Sequence, residues 1–482
     1  MLKGFVRKIR PLEVLSEEQV NLLHQGVLTV LSETGIKILN QKALKLLSEN
    51  DCQVDFDKKL VKMPAALIEE CLERAPSSFF VKARQSKHDV VIGADRLYFR
   101  LFAGMNSIDL GTWEPKTPTR QELYDYMTIV DALPNLHMVG CYPYFGFEGL
   151  SENMKIPEET AAKIRNTTKI PLHCFTGGSH TYTAKMMKVT GSEAIGVCHC
   201  AAPLTYYEDS IEAMFTWIDA GFPLYLCSGS VAGGSSPATI AGSSVTNNAE
   251  LIAGVVIAQL KKPGLRTMVG NFVFPQNMVN GTPLFGDICA ALHAASFSQV
   301  WRGYKIPTAV STTGLTSSKI MDYQCGYEKS MHALISALSG VNVIDFHGGL
   351  SSELTAHPIQ AILDDDVAGM IGRFIEGVEV TDDSIATDLI KEVGPIPGHY
   401  LSKEHTRKWW RSQQYTTSVA DRLTYPEWIK GGKKSAFDFA MAKYDEILKS
   451  HNPVLLNAEQ DRQIEDILEE LRKHYKEASH AF

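Results

Sequence analysis

The chain has 482 residues, a formal net charge of −8 and an isoelectric point near 6.0, with 44% hydrophobic and 21% charged residues. This composition indicates a folded globular protein with enough chain for one large core. Acidic and basic residues are interspersed, which argues against a nucleic-acid-binding protein and against attachment to an anionic membrane surface.

The first ten residues are basic but contain no apolar core before Pro11, so they do not indicate a signal peptide. The longest apolar stretch within a predicted helix, residues 251–260, is half as long as a membrane span. Nine cysteines, an odd number in a large chain, do not suggest a disulfide framework. We therefore expect a cytoplasmic protein with reduced thiols and no membrane partner.

The N-terminal part, residues 1–88, is predicted to be a helical segment packed on the domain that follows, with helices over residues 14–85. Ser16 precedes Glu17 and is the predicted N-cap of the first helix. The apolar residues after it recur at helical spacing and are Leu22, Leu23, Val27, Val30 and Leu31.

Strand-like segments begin after residue 89, and from residue 137 onward short apolar runs alternate with helical stretches, which is the pattern of βαβ units in a parallel sheet. The eight predicted strands are residues 97–103, 137–144, 171–175, 194–200, 223–227, 266–271, 307–311 and 341–345. Eight units predict an α/β fold of the closed (β/α)8 TIM barrel type over residues 89–350. An open doubly wound sheet is the second possibility, but no G-x-G-x-x-G or G-x-x-x-x-G-K-[ST] stretch follows a predicted strand.

Residues 351–482 are predicted to be a helical region continuous with the barrel, ending in a strongly charged helix at 459–476. Trp409 and Trp410 in this region indicate a surface for a second subunit. We therefore expect a homodimer or a higher homo-oligomer.

The residues that follow the carboxyl ends of barrel strands line the active site of such folds. At these positions the chain is rich in aromatic and small residues and poor in lysine and arginine. Because aromatic ring faces attract quaternary ammonium groups, this composition suits an apolar cation better than a phosphate.

The last predicted strand leads into Asp345, Phe346 and His347, followed by Gly348 and Gly349. Residues two apart on a strand project to the same face, so we expect Asp345 to orient His347 for acid–base work or for contact with a substrate. The alternative is a structural histidine bonded to a nearby carbonyl. The glycines would let a ligand approach the backbone.

Cys198 and Cys200 flank His199 on one strand and could bind zinc. Alternation places the histidine on the opposite face, however, so a tetrahedral site would need ligands from another strand. The alternative is a pair of buried thiols, the usual state of free cysteine.

Tyr98, Arg100 and Phe102 alternate on one face of the first strand, and Arg100 could hold a substrate carboxylate between the two rings. An arginine in a solvated hairpin is the alternative. Glu250 could reach the site or favour the dipole near the start of its helix.

Several stretches of the chain resemble the trimethylamine methyltransferase superfamily and occur in the family's order over nearly the whole length. They are Leu15-Ser16-Glu17-Glu18, Thr34-Gly35-Ile36, Leu110-Gly111-Thr112, Ala132-Leu133-Pro134-Asn135, Asn248-Ala249-Glu250, Asp322-Tyr323-Gln324, Gly326-Tyr327-Glu328, His405-Thr406, Asp421-Arg422 and Glu446-Ile447-Leu448.

The resemblance implies a methyltransferase that passes a methyl group from an amine to the Co(I) centre of a corrinoid (cobalamin) carried by a partner protein, with no metal or cofactor bound tightly to the enzyme itself. Founding members carry pyrrolysine at the site, and this chain contains none. Members without it resemble enzymes that demethylate quaternary amines such as glycine betaine, proline betaine and carnitine. When a quaternary amine loses a methyl group, the leaving group is a neutral tertiary amine that needs no protonation. Because charge disappears in this transition state, a dry aromatic site favours the reaction.

On that interpretation, Asp345 and His347 position the substrate rather than move protons. The substrate-binding residues would be Tyr98, Arg100, Phe102, Tyr144, Phe175, Asn271, Phe272, Phe274, Trp301, Gly348 and Gly349, with the backbone of Gly233 and Gly234 as a further place for a carboxylate. Two alternatives stay open. One is a zinc-dependent barrel methyltransferase or hydrolase that uses Cys198 and Cys200, and the other is a non-catalytic barrel that binds an osmolyte.

Overall fold

Eight parallel strands form a closed barrel in the computed structural model, which describes residues 4–102, 104–175 and 177–478. The strands are β1 (Arg96–Leu101), β2 (Met138–Val139), β3 (Ile170–His173), β4 (Ile195–Ala201), β5 (Leu224–Gly229), β6 (Thr267–Asn271), β7 (Thr308–Val310) and β8 (Val343–His347). Neighbours in the chain pair in order, and β8 pairs with β1. The (β/α)8 barrel is confirmed, and the open doubly wound sheet is wrong because no free edge remains between β8 and β1.

A helix follows each barrel strand on the outer face. The helices are α1 (Arg120–Ala132), α2 (Lys155–Asn166), α3 (His180–Thr190), α4 (Glu208–Ala220), α5 (Ile240–Lys261), α6 (Ile288–Gly303), α7 (Tyr323–Leu338) and α8 (Pro358–Ile375). The last of them lies beyond residue 350, so the barrel repeat continues to residue 375. Ala103, the predicted end of the first strand, lies outside the described residues.

The lumen of the barrel is a packed core at its amino-terminal end. Inward residues from every strand meet there, and the hairpin of Ser78–Val81 and Val90–Gly93 covers this end. The members of the cluster include Tyr98, Met138, Leu172, Ile195, Val197, Tyr225, Met268, Ala309 and Val343. Because this end is filled, the carboxyl ends of the strands are left as the accessible side of the barrel.

The N-terminal part combines helices with a small sheet. Its helices are Glu17–Thr29, Gln41–Ser48 and Ala65–Arg74, with a π-helical turn at Val30–Thr34, and its strands are Ile36–Ile38, Gln53–Asp55 and Leu60–Lys62. The prediction of helices over residues 14–85 is therefore partly wrong. Ile36–Ile38 alternates between buried and exposed side chains and extends the barrel sheet by pairing with Thr205–Tyr206. The N-cap prediction is confirmed, because Ser16 accepts a hydrogen bond from the Gln19 amide.

The C-terminal part is helical. Its helices are Asp382–Ile385, Thr387–Val393, Glu404–Gln413, Tyr425–Lys430, Ala436–Ser450 and Ala458–Ala478. The helix Ala436–Ser450 packs on α8 and α1, and Ala458–Ala478 packs on α3 and α2. Residues 479–482, like residues 1–3, lie outside the described residues.

Shorter elements lie in the connections. They are the strands Phe5–Val6, Ser107–Ile108, Pro115–Lys116, Val231–Ala232, Phe274–Pro275, Gly349–Leu350 and Thr355–Ala356 and the 3-10 turns Ser86–His88, Glu152–Met154 and Thr312–Gly314. Most of them follow barrel strands and shape the accessible end.

Helix α5 is more apolar and longer than the sequence prediction allowed. Within the described chain it is the one helix whose length and composition would suffice to cross a membrane, and 72% of its most apolar window is buried. It packs between its neighbouring barrel helices and against β4, β5 and β6. Its apolarity is therefore explained by its place in the barrel wall.

Candidate functional site

A buried ion pair lies inside the barrel near the carboxyl ends of β1 and β8. Arg100 and Asp345 stand opposite each other in the strand pairing. Arg100 Nε donates to Asp345 Oδ1, and Arg100 Nη2 donates to Asp345 Oδ2 at 2.5 Å. The two residues are 2% and 6% exposed. This bidentate pair is the opposite of a solvated hairpin arginine, and each charge compensates the other.

Tyr225 on β5 forms the floor below this pair. The Arg100 guanidinium lies 4.6 Å from the centroid of the Tyr225 ring, and the Tyr225 hydroxyl is 2.8 Å from Ser311 Oγ. Arg100 Nη1 is buried and has no hydrogen-bond partner among the described residues. One donor of the guanidinium is therefore available to a bound group.

The thiols of Cys141, Cys174 and Cys227 lie beside the ion pair, half-buried against the lumen core. Burial raises the pKa of Cys227. A hydrogen bond with Cys174 is the main cause that lowers the pKa of Cys141, and the Arg100 charge acts in the same direction. These side chains give this level of the lumen a soft, weakly polar surface.

His199 and Phe175 form a stacked pair at the accessible end. Their ring centroids are 5.5 Å apart with an interplanar angle of 27°, and His199 Nδ1 lies 3.4 Å from Cys227 Sγ. The His199 side chain reaches solvent, yet the protein around it lowers its pKa through burial, as expected for a ring in a recess. The imidazole is therefore neutral at pH 7.

We call the opening above the Arg100–Asp345 pair, between His199, Phe175, Phe272 and Tyr142, the recess. A group of aromatic rings lies on its β6 side. The ring centroids of Phe272 and Phe274 are 4.8 Å apart, and those of Phe274 and Phe285 are 4.7 Å apart. Phe102 packs in the same cluster. Phe272 is half-buried and packs against Gly229 at the end of β5. Of the predicted cage residues, Phe102, Phe175, Phe272 and Phe274 thus lie at the accessible end.

Tyr142 completes the recess on the β2 side. It is half-buried, its ring centroid lies 5.4 Å from that of Phe145, and burial raises its pKa. Tyr142, His199, Tyr225, Cys141 and Cys227 were not assigned a catalytic or substrate-binding role from the sequence, although Tyr142 and His199 were recognised as strand-end residues. Inward positions on a strand could have been found from alternation, but the register between strands was needed to bring them together.

The prediction that Asp345 and His347 share a face is wrong. A β-bulge between them shifts the register, so that Asp345 pairs with Arg100 and His347 with Leu101. His347 therefore turns outward, where its ring contacts Phe346 and its Nε2 lies 3.5 Å from Asp365 Oδ1 of α8. Fully buried there, it does not face the lumen.

The glycines after β8 serve chain packing rather than ligand approach. The Gly348 amide donates to Asp364 Oδ2 at 2.8 Å, and the Gly349 carbonyl accepts from Lys329 Nζ at 3.1 Å. Gly348 has a φ of +91°, and a Cβ atom on Gly349 would lie 2.5 Å from a backbone oxygen. The amides of Gly233 and Gly234 also donate within their own turn. The expected backbone sites for a carboxylate are therefore occupied by the protein.

Four other predicted substrate-binding residues lie in the core. Tyr98 faces the lumen at its closed end, where its hydroxyl accepts from the Val91 amide at 3.2 Å. Tyr144 contacts Tyr126 of α1. Asn271 and Trp301 lie among the outer helices, where they bond His293 and Asn248, both at 2.8 Å. Asn271 points outward because strand side chains alternate, Tyr144 lies in the connection after β2, and Trp301 belongs to α6.

Glu250 lies in the middle of α5 rather than near its start, so the helix-dipole interpretation is wrong. It accepts hydrogen bonds from the Leu204 amide at 2.8 Å and from Ser228 Oγ. Burial raises its pKa. It ties the turn after β4 to β5 and does not reach the recess.

The zinc alternative lacks support in the described part of the chain. Cys198 and Cys200 face the helices and are buried among apolar residues, with raised thiol pKa values, while His199 faces the lumen. The predicted alternation is confirmed. In residues 4–102, 104–175 and 177–478, no group of three His, Cys, Asp or Glu residues is placed to hold a metal ion.

Comparisons with known proteins agree on one family. A family model described as trimethylamine methyltransferase (MTTB) matches residues 1–475. A trimethylamine methyltransferase of Desulfitobacterium hafniense is 29% identical over 479 residues, covering 95% of this chain and 94% of that protein. A glycine betaine methyltransferase from another strain of that species is 28% identical over 485 residues, covering 96% and 98%.

A solved structure of related title is the monomethylamine methyltransferase of Methanosarcina barkeri. It is 14% identical, with a TM-score of 0.47, and covers 89% of this chain and 92% of that one. Because the family model spans nearly the whole sequence, this chain belongs to the trimethylamine methyltransferase family and is a methyltransferase.

Proposed function

We propose that this enzyme transfers a methyl group from a quaternary amine of the betaine type to the Co(I) of a corrinoid held by a separate protein. The observation that carries the proposal is the recess of aromatic and soft side chains above a neutralised ion pair. Similarity to a glycine betaine methyltransferase supports the same substrate class.

The recess suits a permanent cation for electrostatic reasons. The rings of Phe175, Tyr142 and Phe272 offer negative faces to an ammonium group without needing a hydrogen bond that it cannot make. His199 contributes a neutral ring because its pKa is lowered. Arg100 brings no net repulsion, since Asp345 compensates its charge.

The absence of pyrrolysine from the sequence fits this substrate class. A quaternary amine departs as a neutral tertiary amine and needs no activation by protonation. When bound nearby, the partner's corrinoid supplies the nucleophile that accepts the methyl group. The residues of this chain then have the tasks of binding the ammonium group, orienting one N–CH3 bond and excluding water. We propose that no other cofactor is tightly bound.

We assign the carboxylate end of a betaine to Arg100. Its Nη1 lacks a partner among the described residues, while its other donors hold Asp345. A carboxylate at this depth would place the trimethylammonium group toward the aromatic rings and the accessible end. One methyl group would then point toward the partner protein.

The test is a substrate panel. The purified protein is mixed with Co(I)-cobalamin and with glycine betaine, proline betaine, carnitine or trimethylamine, and formation of methyl-Co(III) is followed by absorbance. We expect turnover with at least one quaternary amine and none with trimethylamine. Turnover with trimethylamine alone would contradict the substrate class, and binding of a betaine without any methylation would favour a non-catalytic osmolyte-binding barrel.

A further inference from the structure

The segment between β8 and α8 crosses the accessible end of the barrel. The Ser351 and Ser352 amides donate to the carbonyls of Ser318 and Thr316, both at 2.8 Å, and the Met105 amide donates to the Glu353 carbonyl at 2.9 Å. Ser351 and Ser352 have φ values of +46° and +67°. Hydrogen bonds to the loops after β1 and β7 therefore fix the position of Glu353 despite two unfavourable backbone conformations.

Glu353 lies next to the β2 side of the recess. Its carbonyl accepts from the Met105 amide, and the Met105 carbonyl accepts at 3.2 Å from the amide of Phe145, whose ring packs on Tyr142. Glu353 is half-buried, and burial is the one cause that raises the pKa of its carboxylate, with no contribution from a hydrogen-bond donor or a cation among the described residues. Besides burial, its charge contributes to the raised pKa values of Tyr142 and Cys227. These residues come from opposite sides of the lumen, so a carboxylate that acts on both lies over the opening between them.

The cations nearest the recess are held by protein groups. Arg100 pairs with Asp345. Lys163 donates to the Leu172 carbonyl at 2.8 Å and lies 3.2 Å from Glu159, whose pKa burial raises to about 8. Among the described residues, Glu353 thus brings a negative charge to the recess for which the protein supplies no partner. A half-buried carboxylate without a counter-charge is unfavourable by itself and gains stability from a bound cation.

We propose that Glu353 is a specificity-determining residue that binds the ammonium group of the substrate and selects a permanent cation over a neutral molecule of the same shape. This inference rests on the proposed function and adds the residue that recognises the charge. A zwitterionic substrate then lies between Glu353 at the opening and Arg100 at depth, which orients it along the barrel axis.

The test compares two ammonium ligands with an isostere whose head group is uncharged, by calorimetric measurement of Kd. The ligands are tetramethylammonium, glycine betaine and 3,3-dimethylbutanoate, in which a carbon atom replaces the betaine nitrogen. We expect Glu353→Gln to weaken binding of both ammonium ligands by about tenfold or more, the order of a partly screened charge–charge contact. Binding of 3,3-dimethylbutanoate should not weaken, because the substitution removes only a repulsion from this anion. Glu353→Asp should restore part of the affinity.

Glu148→Gln is the matched control, because it removes the same charge from an exposed position in the loop after β2. It should bind all three ligands as the parent does. Unchanged affinity of Glu353→Gln for both ammonium ligands would overturn the inference, and so would an equal loss of affinity for 3,3-dimethylbutanoate. Parent turnover with quaternary amines would leave the proposed function intact in either case, whereas a parent that binds no ammonium ligand would refute both.

Discussion

Arg100 and Asp345 meet inside the barrel because both occupy inward positions on strands paired in register. Around them, the inward side chains are aromatic rings and thiols whose own charges are absent or compensated. His347, only two residues from Asp345, lies on the other side of the sheet because a single bulged residue intervenes. The position of each side chain, inside or outside the barrel, thus determines which groups line the recess.

His347 should behave as a structural residue. Replacing it with alanine leaves a cavity between β8 and α8, so we expect His347→Ala to lower the free energy of unfolding by about 2–4 kcal/mol, as measured by denaturant titration. The KM for the quaternary amine should stay near that of the parent. Phe175→Ala is the matched comparison, since it should raise KM with a smaller loss of stability. A raised KM in His347→Ala would restore its predicted contact with the substrate.

The activity should depend on pH on the acidic side of neutrality. The pKa of His199 is lowered from 6.5 and that of Glu353 is raised from 4.5, both by burial. At pH 7, His199 is neutral and Glu353 is charged. As the pH falls from 6.5 toward 4.5, protonation of either group adds positive charge to the recess, and kcat/KM should decline. The decline should be smaller in Glu353→Gln, and a profile unaffected by that change would argue against its role.

At the scale of elements, the connections after the strands position the side chains of the recess, while the helices pack around the barrel and stabilise it. The terminal helix Ala458–Ala478 packs on α2 and α3, where Arg165 bonds Asp461 and Glu465 at 2.6 and 2.9 Å. Its Tyr475 hydroxyl donates to the Gly177 carbonyl at 2.9 Å, two residues beyond Phe175. This helix therefore supports the loop that carries half of the stacked pair.

Leu468 tests this support. It is fully buried in the cluster that joins the terminal helix to the barrel. Leu468→Ala should lower the free energy of unfolding by about 2–5 kcal/mol in denaturant titration. The neighbouring Glu469 is exposed, so Glu469→Ala should change stability little. Equal stability of the two variants would show that the helix is not packed on the barrel as described.

At the scale of the whole molecule, the C-terminal arm, residues 378–430, is the part least covered by the barrel. It exposes large apolar side chains, with Ile396 95%, Leu401 86% and Trp410 41% exposed. Large apolar patches on a protein surface commonly mark interaction sites. We therefore propose that the arm packs on a second copy of the chain, in line with the predicted homo-oligomer.

Light scattering checks this proposal. The parent should have at least twice the chain mass of 53.3 kDa, and the double variant Ile396→Glu/Leu401→Glu should fall toward 53.3 kDa, because each new carboxylate would have to be buried in the interface. An exposed control outside the arm, Glu148→Gln, should keep the parent mass. A parent at 53.3 kDa would contradict the homo-oligomer.

The sequence by itself determined the barrel, its eight strands and their helices, because strand and helix periodicities are local properties that each segment carries alone. It also placed Arg100, Phe102, Phe175, Phe272, Phe274 and Asp345 near the carboxyl ends of the strands. The resemblance to a known family then indicated the reaction class, which the spacing of residues along the chain did not predict.

Only the tertiary structure decided which of these side chains meet. The bulge before His347 is a property of strand pairing with β1, and a one-residue shift turns a side chain from the lumen to the helices. Trp301 lies on α6, and the side chain of Asn271 faces the helices from β6, so neither residue reaches the recess. No sequence pattern indicated a role for Glu353, because its position at the recess depends on hydrogen bonds to loops more than 30 residues away in sequence. Those contacts exist only once the barrel has closed.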